Sequence, residues 1–480
     1  MPAHGLQQQP IKHYNARSNS DSQNVEKLPA MTPQRFPPGF LWGTATSSHQ
    51  VEGQNTNNQW WDWEQQPGRI WNGDQSGDAC GWWRDATGDL DRAAALGQNA
   101  HRMSIEWSRI EPREGQFDVS ALERYRAILQ AMHQRGIAPM VTLHHFTNPR
   151  WLEDQGGWLN PRIVERFARF SAYAVDALGD LCQTWCTINE PLIFAGMGYA
   201  ARRWPPGQGR LLNARHVVAN MLRGHAAAAH AIHHLGGPHQ VGIVHNFHLF
   251  DPATPAPQDL AAAALYDYLN NQVILHALRT GRILPPFGNE LREVPHLRES
   301  CDFFGLNYYS RSRIAFLSRT PRWIFGHMFT PQDVEQSDFG GEDKTYGEVY
   351  PHGIYRALRR IHHRLGLPIY ITETGLPDHD DDQRPRYILN HLAETHRAIR
   401  DGVDVRGVFL WSLLDNFEWA EGWGLRFGLY AFDERTGARR LRPSGALYGI
   451  IARANAIPAG AAALADQIEA RHAAAQLSGT

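Results

Sequence analysis

Thr187-Ile188-Asn189-Glu190-Pro191 and Ile371-Thr372-Glu373-Thr374-Gly375 each set a glutamate directly behind a short β-branched run, where a strand is expected to end. The two glutamates stand 183 positions apart (373 − 190), so only tertiary structure can bring them together. Working outward from these segments, short β-like runs alternate with amphipathic stretches along most of the chain. The pattern predicts strands over 40–47, 100–107, 138–145, 184–190, 241–246, 302–309, 368–373 and 405–412. It predicts helices over 85–96, 121–135, 161–178, 216–234, 258–279, 354–365, 384–401 and 443–454. Eight strands alternating with helices predict a parallel α/β structure, a single (β/α)8 TIM barrel with extended βα loops.

Composition narrows the function classes. The 480 residues are 42% hydrophobic and 20% charged, ordinary for a globular chain. Lys and Arg number 47 against 49 Asp and Glu, so neither a nucleic-acid partner nor a membrane-surface partner is expected. No run of about eighteen apolar residues is present, and the N-terminus lacks the apolar core of a signal peptide. Four cysteines, Cys80, Cys182, Cys186 and Cys301, do not make a disulfide framework in so long a chain. Cys182 and Cys186 flank a strand-like run and read as buried thiols. The setting expected is reducing and cytoplasmic. Residues 1–35, rich in Gln, Asn, Ser and Pro, read as a mobile polar leader. Residues 36–455 read as the catalytic barrel, and 456–480 as an Ala-rich tail able to form a loose helix. Sixteen Trp favour a carbohydrate site weakly, because indole faces suit sugar rings as well as cores.

Residues that act in such barrels sit at the C-terminal ends of the strands. There the sequence places Gln50, Glu106, His145, Asn189 with Glu190, Asn307 with Tyr309, Glu373 and Trp411. One strand-end carboxylate alone is more often a salt-bridge partner. Polar or aromatic residues at seven strand ends point to a shared site. Two carboxylates facing each other across one bond are what glycoside cleavage requires. Twenty-five histidines include the pairs at 144–145, 233–234 and 362–363, yet no His-Glu-x-x-His pattern occurs. Neighbours at i and i+1 do not face one another on a helix. No glycine-rich phosphate loop appears either, so neither metal nor cofactor is expected.

Several ordered motifs carry a family resemblance over roughly 36–455. They are Phe36-Pro37-Pro38-Gly39-Phe40-Leu41-Trp42-Gly43-Thr44-Ala45 leading into Gln50-Val51-Glu52-Gly53, and Arg102-Met103-Ser104-Ile105-Glu106-Trp107-Ser108-Arg109. Thr187 to Pro191, Asn307-Tyr308-Tyr309, Ile371 to Gly375, and Trp411-Ser412-Leu413-Leu414-Asp415-Asn416-Phe417-Glu418-Trp419 complete them. With these the chain resembles glycoside hydrolase family 1, the β-glucosidase and β-galactosidase family. The resemblance implies a retaining exo-β-glycosidase acting on terminal β-D-glucosides, with β-galactosides and β-fucosides as further substrates. It implies Glu373 as nucleophile and Glu190 as acid/base, with Arg102 and Tyr309 serving Glu373. Gln50, His145, Asn189, Glu418 and Trp419 would bind sugar hydroxyls, with Asn307 beside them. Trp411 would be the stacking floor and Phe427 would close the pocket side. A retaining pair is expected about 5–5.5 Å apart between carboxyl groups. Glu418 is expected to repel a phosphate and to favour an unphosphorylated sugar.

Three positions depart from the family pattern. Thr374 stands where Asn usually follows the nucleophile, and Phe146 where Trp commonly follows the histidine. Leu192 stands where many members carry a Trp that stacks on the leaving group, so a weakened aglycone subsite is expected. The stretch 310–350 shows no clear element. It contains Trp323, Ile324, Phe325 and Phe329 and is expected to overhang the barrel mouth and shape the aglycone entrance. The expected partner is a small-molecule β-glycoside or short oligosaccharide, with a homo-oligomer left open. Competing readings are a transglycosylase using the same intermediate, a non-catalytic sugar-binding barrel and a metal-dependent barrel hydrolase.

Overall fold

Eight parallel strands close into a barrel in the computed structural model, which describes residues 33–289, 291–318, 326–338 and 345–478. They are β1 (Leu41–Ala45), β2 (Ala100–Ser104), β3 (Ala138–His144), β4 (Thr184–Asn189), β5 (Gln240–Asn246), β6 (Phe303–Asn307), β7 (Ile369–Thr374) and β8 (Val405–Trp411), and β8 pairs back onto β1. Helices α1 (Thr87–Ala95), α2 (Val119–His133), α3 (Ile163–Leu178), α4 (Leu211–His234), α5 (Val273–Thr280), α6 (His352–Leu365), α7 (Arg384–Arg400) and α8 (Pro443–Ala454) follow the strands in turn. The expected (β/α)8 TIM barrel is the observed architecture.

Local chemistry accounts for these elements. α3 turns Ile163, Phe167, Phe170, Ala174 and Leu178 inward at helical spacing, with Arg162, Glu165 and Asp176 elsewhere around it. α2 begins where the Asp118 carboxylate accepts the N–H groups of Ser120 and Ala121. Trp42, Trp60, Trp82, Trp107, Trp158 and Trp185 are all buried, so many of the tryptophans serve the core.

Strand ends differ from the sequence reading at the mouth. Trp107 opens a short helix, Trp107–Ile110, capped by the Glu106 carboxylate on Ser108 N–H. Tyr309 and Ser412 lie past their strands. The chain leaves the ladder there so that side chains can turn toward the axis. Register slips occur before both glutamates, between Cys186 and Asn189 against β5 and between Ile371 and Glu373 against β6. Such irregularities re-aim the side chains that follow. The predicted helix 258–279 is Pro257–Asp267, a π-type turn over Tyr268–Gln272, and α5.

The largest correction concerns 310–350. That stretch supplies Arg311–Ala315, His327–Phe329, Gln336–Asp338 and Thr345–Glu348 to a five-stranded sheet completed by Leu249–Pro252. These strands are short and mixed in polarity, and the one that pairs with the upstream Leu249–Pro252 is Arg311–Ala315, whose alternating burial is not matched by alternating apolar residues. Trp323, Ile324 and Phe325 lie outside the described residues, as does the leader through residue 32. Gln34–Arg35 pairs antiparallel with Ala456–Ile457. Ala461–Ser478 is a helix, tied to α7 where Arg386 pairs with Asp466 and Glu469. No helix among the described residues is long and apolar enough to cross a membrane.

Gly375 follows β7 and packs against the end of β8, where an added Cβ would lie 2.1 Å from the Trp411 carbonyl oxygen and 3.3 Å from Phe427. Gly375→Ala must part these strands and is expected to cost about 1–3 kcal/mol in urea unfolding.

Candidate active site

Glu373 is the penultimate residue of β7 and the partner of Asn307 in the parallel ladder, and Asn307 pairs in turn with Asn246. One Glu373 oxygen accepts from Arg102 Nη1 at 2.5 Å and the other from Tyr309 Oη at 2.7 Å. Arg102 projects from β2 and is completely buried. Its second terminal nitrogen donates to Asn189 Oδ1 at 2.7 Å, and Nε donates to Thr142 Oγ1 at 3.1 Å.

Glu190 follows β4 in a left-handed conformation (φ 46°) and heads the short helix Pro191–Ala195. Its partners differ from those of Glu373. Oε1 accepts from Asn307 Nδ2 at 2.7 Å and Asn246 Nδ2 at 3.1 Å. Thr372 Oγ1 donates to Asn307 Oδ1 at 2.8 Å, which fixes the amide so that its NH2 faces Glu190. Burial, and next the negative charge of Glu373, push the Glu190 carboxyl up to about 8, against the opposing donors Asn307 and Asn246.

The sugar-binding candidates line an adjoining wall. Gln50 Nε2 donates to Asn416 Oδ1 and the Phe417 carbonyl at 2.9 Å and to Glu418 Oε2 at 3.1 Å. The Trp411 indole N–H donates to the same Glu418 oxygen at 3.2 Å. Burial raises the Glu418 carboxyl to about 8. The rings of His49, Trp419, His145 and Trp411 form an offset column, with successive centroids 5.8, 6.1 and 5.9 Å apart and interplanar angles of 9°, 15° and 19°. Asn189 Oδ1 is occupied by Arg102, so its NH2 meets His145 Nε2 at 3.3 Å. Burial keeps His145 neutral, which makes Nε2 the acceptor and places the ring proton on Nδ1. That nitrogen is buried without a protein partner among the described residues. Phe427 packs with Trp411 and lies 6.2 Å from the Tyr309 ring.

The structure therefore brings together Glu190, Glu373, Arg102, Tyr309, Gln50, His145, Asn189, Asn307, Trp411, Glu418, Trp419 and Phe427. Glu106 does not join them. Its carboxylate accepts from Ser48, Asn55, Thr147 and Ser108 hydroxyl or amide groups and anchors the surrounding loops. Thr374 turns outward to Tyr387 Oη at 2.9 Å. Phe146 adopts φ 69°, and its carbonyl accepts from Gln59. Leu192 is half-buried on the turn after Glu190. Asn246 and His49 join the site beyond the residues predicted for it. Asn246 ends β5 and could have been found by the strand-end rule. Among the described residues, one group of three potential metal ligands clusters, Asp378, Asp380 and Asp382, on the turn after β7. Asp378 there already accepts the N–H groups of Asp381, Gln383 and Arg384.

Residues 32–457 match the profile described as Glycosyl hydrolase family 1. The chain belongs to that family. It is 32% identical to beta-glucosidase A of Thermotoga maritima, over 89% of this chain and all of the relative. It is also 32% identical to a beta-galactosidase of Sulfolobus acidocaldarius, over 88% of this chain and 96% of the relative. Among solved structures, a beta-glycosidase from Pyrococcus horikoshii superposes with a TM-score of 0.83 at 38% identity, covering 91% of this chain and 99% of that one. The T. maritima beta-glucosidase in complex with glucoimidazole superposes at 0.81 with 32% identity, covering 88% and 99%. The chain is thus a family 1 glycoside hydrolase.

In this hydrolase Asn246 lowers the Glu190 pKa by donating to the carboxylate. Asn246→Ala is expected to move the Glu190 titration upward from about 8, read by NMR of the isotope-labelled carboxyl.

Proposed function

We propose that this family 1 member is a retaining exo-β-glycosidase that releases a terminal β-D-glucose, with β-galactosides and β-fucosides as further substrates. The observation that carries the reading is the unequal treatment of the two glutamates. Glu373 is paired with a guanidinium and a phenol, and Glu190 meets only amides while facing the charge of Glu373.

In the first step Glu373 attacks the anomeric carbon as Glu190 gives its proton to the leaving oxygen. The resulting ester removes the negative charge that had raised the Glu190 pKa. Glu190 then becomes able to take a proton from water, whose oxygen displaces Glu373. Asn189, held by Arg102 and Asn307, suits the sugar 2-hydroxyl, where hydrogen bonds strengthen in the transition state. His145 is held in the wall with its ring stacked between those of Trp419 and Trp411. Gln50 and Glu418 together offer donor and acceptor to the O4 and O6 region, and Trp411 offers a flat face. A carboxyl at 418 favours an unphosphorylated sugar. Relatives named for glucose and for galactose support a site tolerant at O4. The catalytic unit is the barrel of 36–455. Four free thiols, Cys80, Cys182, Cys186 and Cys301, fit a reducing intracellular setting.

Four measurements test this reading. Glu190→Gln is expected to slow glycosides with poor leaving groups by about 10²–10⁴-fold, and activated aryl glycosides less in the first step. Glu373→Gln is expected to abolish turnover, and near-full hydrolysis by it would end the nucleophile assignment. NMR of the first-formed sugar should show the β-anomer; the α-anomer would mean inversion. The pH profile follows from the sign of the Glu190 shift. The acid is in hand below about 8 and lost as pH rises through that value, so kcat/KM should fall on that limb.

A further inference from the structure

Tyr346 lies on the strand Thr345–Glu348, in the stretch the sequence left without structure. Its ring meets Tyr309 edge to face at 5.9 Å and Phe427 at 5.4 Å. Tyr309 is the residue that donates to Glu373, so Tyr346 stands one ring away from that carboxylate. Two constraints hold it there. Gly347 has φ +135°, and a Cβ on it would lie 2.6 Å from Ser310 Oγ, so only glycine lets this strand press against the segment that follows Tyr309. Arg311 then grips Glu348 with two bonds of 2.7 and 2.6 Å and reaches Asp251 at 2.9 Å.

We propose that Tyr346 is a further specificity-determining residue that walls the sugar pocket beside Tyr309 and Phe427 and gives its hydroxyl to the bound glycoside. The inference rests on the glycosidase reading above. Tyr346 is 37% exposed, whereas Phe427 beside it is buried, so Tyr346 is the more solvent-facing of the two rings. Its hydroxyl nonetheless sits well above the usual tyrosine range, first through burial and then through the charges of Glu418, Glu190 and Glu373. Raised in this way, the hydroxyl stays a protonated donor across the working pH range. Among the described residues it meets no hydrogen-bond partner. A neutral hydroxyl-rich ligand entering the pocket supplies acceptors for it.

The test compares Tyr346→Phe and Tyr346→Ala with the wild-type chain. It uses 4-nitrophenyl β-D-glucoside kinetics and calorimetric binding of deoxynojirimycin, with thermal melting as a check on folding. Tyr346→Phe keeps the wall and loses the donor. Its KM and inhibitor Kd are expected to rise roughly three- to tenfold while kcat stays within about twofold. Tyr346→Ala is expected to lose at least as much and to change the ratio of aryl glucoside to cellobiose turnover. Wild-type KM and Kd in both variants would overturn the proposal. A wild-type-like Phe variant beside a defective Ala variant would overturn the hydroxyl contact. Wild-type protein that binds the inhibitor yet cleaves no β-glycoside would refute the glycosidase reading, and the inhibitor affinities would still decide Tyr346.

Discussion

A fully buried guanidinium at Arg102 is the constraint on which the site depends. A charge with no access to water must be paired and hydrogen-bonded, or it destabilises the fold strongly. Arg102 meets that demand with Glu373, Asn189 and Thr142. The carboxylate it pairs with is thereby held at the axis, and the negative charge there makes a second charge on Glu190 unfavourable. Asn189, oriented by the same guanidinium, turns its NH2 to His145 and so sets that ring's tautomer. One cation inside the barrel therefore arranges an anion, a second carboxyl and a neutral imidazole.

Much of this was legible in the sequence because barrel strands bring their own signal. β-branched runs marked β4 and β7, and the rule that mouth residues follow strand ends located Glu190 and Glu373. The same rule overreached at Glu106, whose four donors make it a loop anchor; a strand-end position says nothing about where a carboxylate points. Register slips before each glutamate left no trace in composition. The sheet over Arg311–Ala315 and Thr345–Glu348 escaped for another reason. Its strands are held by Arg311, Asp251 and Glu348, an ion cluster that only tertiary structure assembles. Tyr346 went unseen with it.

The wall adjoining Glu190 and Glu373 is rigid for reasons of packing. Four near-parallel rings, His49, Trp419, His145 and Trp411, cannot move singly, and Gln50 ties the Trp411–Glu418 pair to the backbone at Phe417. A site so supported keeps its donors and acceptors in place without the ligand, which reduces the ordering cost on binding.

The pairing of Gln34–Arg35 with Ala456–Ile457 has a geometric consequence. These strands lie where the chain enters β1 and leaves α8, and Phe36 N–H reaches the Asn455 carbonyl at 3.0 Å. The two ends of the barrel segment thus meet beneath the strand starts, on the face away from the mouth. A tether, a fused protein or a solid support attached at either point leaves the entrance open to solvent. The same proximity makes the barrel nearly a closed loop of chain, in which the break could be moved to another turn without changing its cyclic order of strands.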